Sequence, residues 1–182
     1  MSVTNSNTKQ KGNFTVEFAI VGAFIALLLV FSADIIVKVS TKGKLDRLSY
    51  SLVNVLKERT QLYGNDYKIT QAEVSAIMNI GTNSLQRTLG NFELNRFGFL
   101  VEELSFRDIG QPNPLRRFPS AQNVCQVRQN LSQLRHLSVV TSWERQTPLY
   151  RITLCYETDN WYGSIAGQTF TTVTSSSVML GR

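Results

Sequence analysis

No charged side chain occurs between residues 18 and 33, and no other stretch of this sequence is both so apolar and so long. As a helix these residues span about 24 Å, a little short of a bilayer core of about 30 Å. Val16, Glu17 and residues 34–37 supply the difference, so a membrane-spanning helix is expected over about residues 16–37. That places Glu17 at one rim and Asp34 near the other. A carboxylate at the start of a membrane segment is costly to insert and asks for a purpose. Residues 1–12 are rich in Ser, Asn, Thr and Lys and lack apolar periodicity, so they read as a leader whose Lys9 and Lys11 stay cytoplasmic. Release by signal peptidase would need small residues at the far end of the apolar run, where residues 31–34 offer only Ser32 and Ala33.

The stretch Lys11-Gly12-Asn13-Phe14-Thr15-Val16-Glu17-Phe18 resembles the processing site of the type IV prepilin superfamily. In that superfamily a glycine precedes the cleaved bond and the fifth residue after it is glutamate. The resemblance implies cleavage between Gly12 and Asn13 by a prepilin peptidase, and pairing of Glu17 with the new terminal amine of a neighbouring subunit. An aromatic commonly follows this glutamate in the Flp/Tad branch, as Phe18 does here. Asn13 stands where many type IV pilins have phenylalanine, so only the glycine and the glutamate carry over. With one anchor, two cysteines and more length than a small Flp major pilin, the chain is most similar to the TadE and TadF pilin-like proteins, TadF above TadE.

Topology follows from the same residues. The downstream flank, with Lys38, Lys42, Lys44 and Arg47, carries more positive charge than the leader, so charge counting alone would put that flank in the cytoplasm. The resemblance implies that Gly12 faces the cytoplasm, and pairing of the two cysteines needs an oxidising compartment, so residues 63–182 are expected in the periplasm. The net charge of +6 raises the question of nucleic acid, but apart from that flank the basic residues are dispersed and only Arg116 and Arg117 are adjacent. A solvated or headgroup-facing surface is the better reading, with DNA the lesser alternative.

After Val37 the pattern turns one-sided. Leu45, Leu48, Leu52, Val55 and Leu62 recur at helical spacing with Leu56 beside them, opposite Lys44, Asp46, Arg47, Asn54, Lys57 and Glu58. One helix over residues 13–62 is expected, with Gly43 a candidate kink. Thr70 and Glu73 form a capping box for a short helix, and residues 84–89 suggest another. Residues 97–109 are β-prone, with Leu100, Leu104 and Phe106 on one face and Glu103 and Ser105 on the other. Residues 110–119 hold three of the four prolines and read as a loop. Residues 120–134 allow a helix. Residues 137–143 and 149–157 read as a hairpin, residues 159–167 as a turn, and residues 168–179 as a final strand. The fold class is α+β: a long N-terminal helix, half in the membrane and half amphipathic, packed on a small antiparallel sheet.

Cys125 and Cys155 have no metal-binding spacing. In an oxidising compartment they can pair, and closing a loop of about 30 residues would stabilise the domain by roughly 3 to 4 kcal/mol in the chain-entropy model. In the cytosol two buried thiols are the better reading. Alternation along residues 149–157 turns Tyr150, Ile152, Leu154 and Tyr156 one way and Cys155 the other, so the segment holding Cys125 must cover that second side to reach it. The sole histidine, His136, lies in a Leu-rich stretch with no nucleophile pattern, and there is no phosphate loop, so neither catalysis nor a metal or other cofactor is expected.

The expected function is that of a minor pilin or pseudopilin of a tight-adherence pilus, acting in initiation or at the tip and supporting adhesion and biofilm formation. The implied partners are prepilin peptidase, other pilin subunits, the inner-membrane platform and membrane lipid. The alternatives are a pilus-borne adhesin or DNA-binding subunit, and an anchored periplasmic component of the secretion apparatus that is not assembled.

Overall fold

A computed structural model describes residues 13–63, 68–167, 169 and 171–181. It divides into two compact units, Lys38–Thr158 with Thr171–Arg182, and Met1–Val37 with Asp159–Phe170. Helix α1, Asn13–Tyr63, is common to both and passes through Gly43 without a break. That glycine has no neighbour within 4 Å of where a Cβ would stand, so nothing there forces a bend.

In the larger unit, α2 (Gln71–Thr88) is followed by β1 (Phe97–Leu104), β2 (Phe106–Asp108), β3 (Gln111–Pro112), β4 (Arg116–Pro119), β5 (Leu149–Glu157) and β6 (Thr172–Leu180). The main sheet has the order β4-β1-β5-β6 and every pairing is antiparallel, while β2 and β3 form a two-stranded ribbon. Leu45, Leu52, Val53 and Leu56 of α1 join Val74, Ile77, Met78 and Leu85 of α2 over Val101, Tyr150, Ile152 and Leu154. This α+β arrangement of a long helix on a small antiparallel sheet is the one the periodicity predicts.

The stripe on α1 is shifted by a fraction of a turn from its predicted course. Val55 is exposed, while Ser49 and Val53 are fully buried. The side chain of Leu62 lies outside the described residues. Ser49 faces β6, where its hydroxyl meets those of Ser175 at 3.0 Å and Ser177 at 2.8 Å. Small hydroxylated residues on both sides let helix and strand approach closely while satisfying one another's polar atoms. Asp46, predicted on the solvent face, accepts from Ser175 at 2.6 Å and from Lys42. Burial pushes the Asp46 carboxyl up, but the hydrogen bonds from Lys42 and Ser175, together with the Lys42 charge, more than offset it and hold the group below its ordinary value. Lys44 donates to the Thr88 carbonyl at 2.8 Å, tying α1 to the negative C-terminal end of α2.

Several local expectations are corrected. The capping box of Thr70 and Glu73 is present, but it opens one continuous α2 instead of two short helices. Gly81 is buried inside α2, where a Cβ would come within 2.9 Å of Leu52 Cδ1. The proline-rich stretch contains β3 and β4, and β4 lies at the sheet edge, where proline's missing N–H is tolerated. The predicted hairpin does not form. Residues 131–137 are 3-10 helical, residues 139–147 close a separate turn with a bridge between Val140 and Gln146, and β5 pairs with β1 and β6. Residues 159–167, predicted as a turn, contain a helix, α3, at Trp161–Ala166.

Both faces of the sheet are covered, the second by the segment that carries Cys125. Opposite the helices, Leu100 packs with Cys125, Cys155 and Val127, and Leu104 and Leu149 pack with Leu131. The covering segment hydrogen-bonds to β1 and to the residues just before it. Ser120 N donates to Phe99 O at 2.9 Å, Phe99 N donates to Ser120 Oγ at 3.1 Å, and Asn123 Nδ2 donates to Asn95 O at 2.6 Å.

Gly98 makes this approach possible. It pairs with Cys155 across the sheet and bridges Asn123 on its other side, and a Cβ there would lie 2.1 Å from Asn123 O. Gly98→Ala must therefore push the 120–125 segment off β1. The expected cost is about 1 to 3 kcal/mol, as for other overpacked sites. The variant's Cys125–Cys155 bond should be reduced by added dithiothreitol, and its thiols alkylated, faster than in the parent, whereas an unchanged rate would contradict this account.

Candidate functional site

Three groups of residues bear on function: the exposed end of α1, the cysteine pair, and a row of charges inside the sheet. Gly12 lies outside the described residues, and Asn13 is the first described residue of α1. Glu17 follows Asn13 by four residues, one helical turn, so the two share a face. Phe18 is 70% exposed and stacks on Phe14 at 6.3 Å between ring centres. Val16, Phe24 and Leu29, spread around the helix, are likewise exposed. A helix this apolar on all sides needs either a protein core or lipid around it, and here no core surrounds it. Among the described residues it is the one helix long and apolar enough to cross a membrane.

The structure joins Cys125 to Cys155 in a disulfide, with Cα atoms 5.6 Å apart. It lies on the sheet face away from Tyr150, Ile152 and Leu154, so the segment holding Cys125 covers that side as the alternation requires.

Sequence reading missed the charge row. Glu102 and Glu103 are completely buried, although residue 103 was expected on a polar face. Register aligns Arg117, Glu102 and Arg151 across β4, β1 and β5, and sets Arg116 opposite Glu103. Arg151, itself 4% exposed, ion-pairs with Glu102 and donates through Nη1 to Gln129 O at 2.8 Å. Arg117 reaches Glu102 at 3.3 Å and Arg116 reaches Glu103 at 3.4 Å. Glu103 also accepts from Ile69 N at 3.0 Å. The signal available in the sequence was the adjacent pair Arg116-Arg117 and the adjacent pair Glu102-Glu103, which antiparallel pairing brings into register. The single pair of neighbouring arginines is thus committed to internal carboxylates, which argues against a phosphate-binding role for it. Arg116 also lies over the Phe118 ring at 5.4 Å.

His136 is exposed on the 3-10 segment Leu131–Leu137. Among the described residues no group of three or more His, Cys, Asp or Glu side chains is placed to hold a metal ion.

A bare apolar half-helix, continued by an amphipathic half docked on an antiparallel sheet, defines a membrane-anchored pilin-like protein. A family model described as "TadF: Putative tight adherence pilin protein F" matches residues 5–182. The chain belongs to the TadF family, and so to the pilin-like proteins of tight-adherence pilus systems. No curated protein and no solved structure matches it significantly.

Proposed function

We propose that this protein is a minor pilin of a tight-adherence pilus, cleaved after Gly12 by a prepilin peptidase and assembled through α1. The observation that carries the reading is the exposed apolar half of α1. Residues 1–12 serve as a cytoplasmic leader, residues 13–62 as the assembly helix spanning the inner membrane at about 16–37, and residues 63–182 as a periplasmic domain. An oxidising periplasm is consistent with the Cys125–Cys155 bond. Its partners are the peptidase, other pilin subunits, the inner-membrane platform and lipid. At 182 residues it suits a low-copy initiating or tip position, from which it would support adhesion and biofilm formation once exported.

Cleavage is the step to test. Mass spectrometry of native material is expected to return a chain beginning at Asn13. Gly12→Val, which crowds the backbone that must enter the peptidase site, should accumulate a precursor of slower mobility. An intact Met1 end in native protein, or unchanged processing of the variant, would refute the reading.

A further inference from the structure

We infer that the segment between β5 and β6 is a second membrane contact, with α3 lying in the outer headgroup and acyl boundary beside α1. The inference rests on the reading of α1 as a membrane anchor and adds to it a lipid-binding surface that the anchor alone does not require.

The connection between β5 and β6 is closed at its base, where Thr158 donates to Thr171 O through both N at 2.7 Å and Oγ1 at 2.9 Å. Within the smaller unit, Tyr162 sets its ring edge-on against Phe31 of α1, with centroids 4.7 Å apart and planes at 64°. Phe31 belongs to the charge-free run and lies about 20 Å along the axis from Phe18, inside a hydrocarbon layer of about 30 Å. Its side chain leans back toward the helix N-terminus, deeper still. A group packed against that ring therefore cannot stand in bulk water when α1 is inserted.

The chemistry of the segment fits that depth. Asp159 is its one ionisable acid or base of the carboxylate or amine type, and no Asp, Glu, Lys, Arg or His occurs from residue 160 to residue 181. Tyr162 and Gly163 are turned inward, while Trp161 and Ile165, four residues apart on one face, are 52% and 60% exposed. An indole beside a branched aliphatic chain, presented at the level of a membrane boundary, is the arrangement found in interfacial aromatic belts, where the ring meets acyl chains and the N–H meets headgroups. Lipid at that boundary is the occupant we assign to this face.

The chain holds only two tryptophans, Trp143 and Trp161, so each can be observed alone. The full chain is reconstituted in phosphatidylcholine and phosphatidylglycerol vesicles containing lipids brominated near the carbonyl end. In W143F, emission from Trp161 should be blue-shifted and should lose about half its intensity to the bromines, as expected for an interfacial indole. In W161F, the 82% exposed Trp143 reports the domain and should lose little. Flotation of the same vesicles reads anchoring separately. Protein that floats while Trp161 is quenched no more than Trp143 overturns the α3 assignment and leaves the anchor standing. A blue shift that grows with protein-to-lipid ratio without bromine quenching overturns it in favour of a second copy of this chain. Protein that fails to float overturns both.

Discussion

Arg151→Met should be the most destabilising single substitution in the folded domain, at about 3 to 5 kcal/mol, the range for a buried ion pair that loses one partner. Glu102 is fully buried and would keep only Arg117, whose side chain is 45% exposed and 3.3 Å away. The Gln129 carbonyl would lose its donor as well. Against a total stability of roughly 5 to 15 kcal/mol, such a loss leaves little reserve. Urea titration of the full chain in detergent checks this, because the midpoint falls without a change in slope if the folded state alone is affected. The double variant Glu102→Leu with Arg151→Met should recover most of the loss, since replacing a buried pair by packed apolar groups is often neutral or better. Arg151→Lys should fall between, keeping the charge but losing the forked geometry that serves Glu102 and Gln129 together. A single variant as stable as the parent would mean that Glu102 is not sealed from water.

The same residues show where the sequence was readable. α1 was legible over its whole length because its two halves have two plain patterns, apolar all round and then apolar on one side. β5 and β6 were legible from β-branched and aromatic content, and the cysteine pair was constrained by alternation along β5. The edge strands were hidden because the prolines of residues 110–119 carry the local signal of a loop, and only the sheet edge makes them acceptable in strands. Gly81 and Gly98 carried no local signal of their surroundings, because what stands against them is distant in sequence, the tip of Leu52 for one and the backbone of Asn123 for the other. The false hairpin arose because residues 137–143 are as β-prone as a true strand. β5, however, finds its partners in β1 and β6, a choice made by long-range packing that no window of sequence contains. The burial of Glu102 comes from the segment covering the second face, and that of Glu103 from its place beside Val101 on the helix face, where Ile69 N reaches it, and neither neighbour is close in sequence.

Glu17→Ala is expected to insert in the membrane normally and to be absent from sheared filaments. Insertion should not suffer, because removing an acidic group from the rim of a membrane helix makes transfer easier. Assembly should suffer if the carboxylate neutralises the terminal amine of a neighbouring subunit. Two unit charges about 4 Å apart at an effective dielectric near 20 attract by about 4 kcal/mol, and the abandoned amine would carry a further desolvation penalty. At about 1.4 kcal/mol per tenfold change, that is about a thousandfold loss in the association constant of each subunit contact. The competing reading makes Glu17 a favourable charge near the positive end of its own helix, worth about 0.3 to 1 kcal/mol, which would lower incorporation by less than about sixfold. Quantitative blotting of shear and membrane fractions separates these two magnitudes without knowledge of the neighbour's identity. Glu17→Gln sharpens the comparison, because it keeps the shape and removes the charge, so it should fail as Ala does. Filaments carrying either variant at the parental level would leave the carboxylate without a part in assembly.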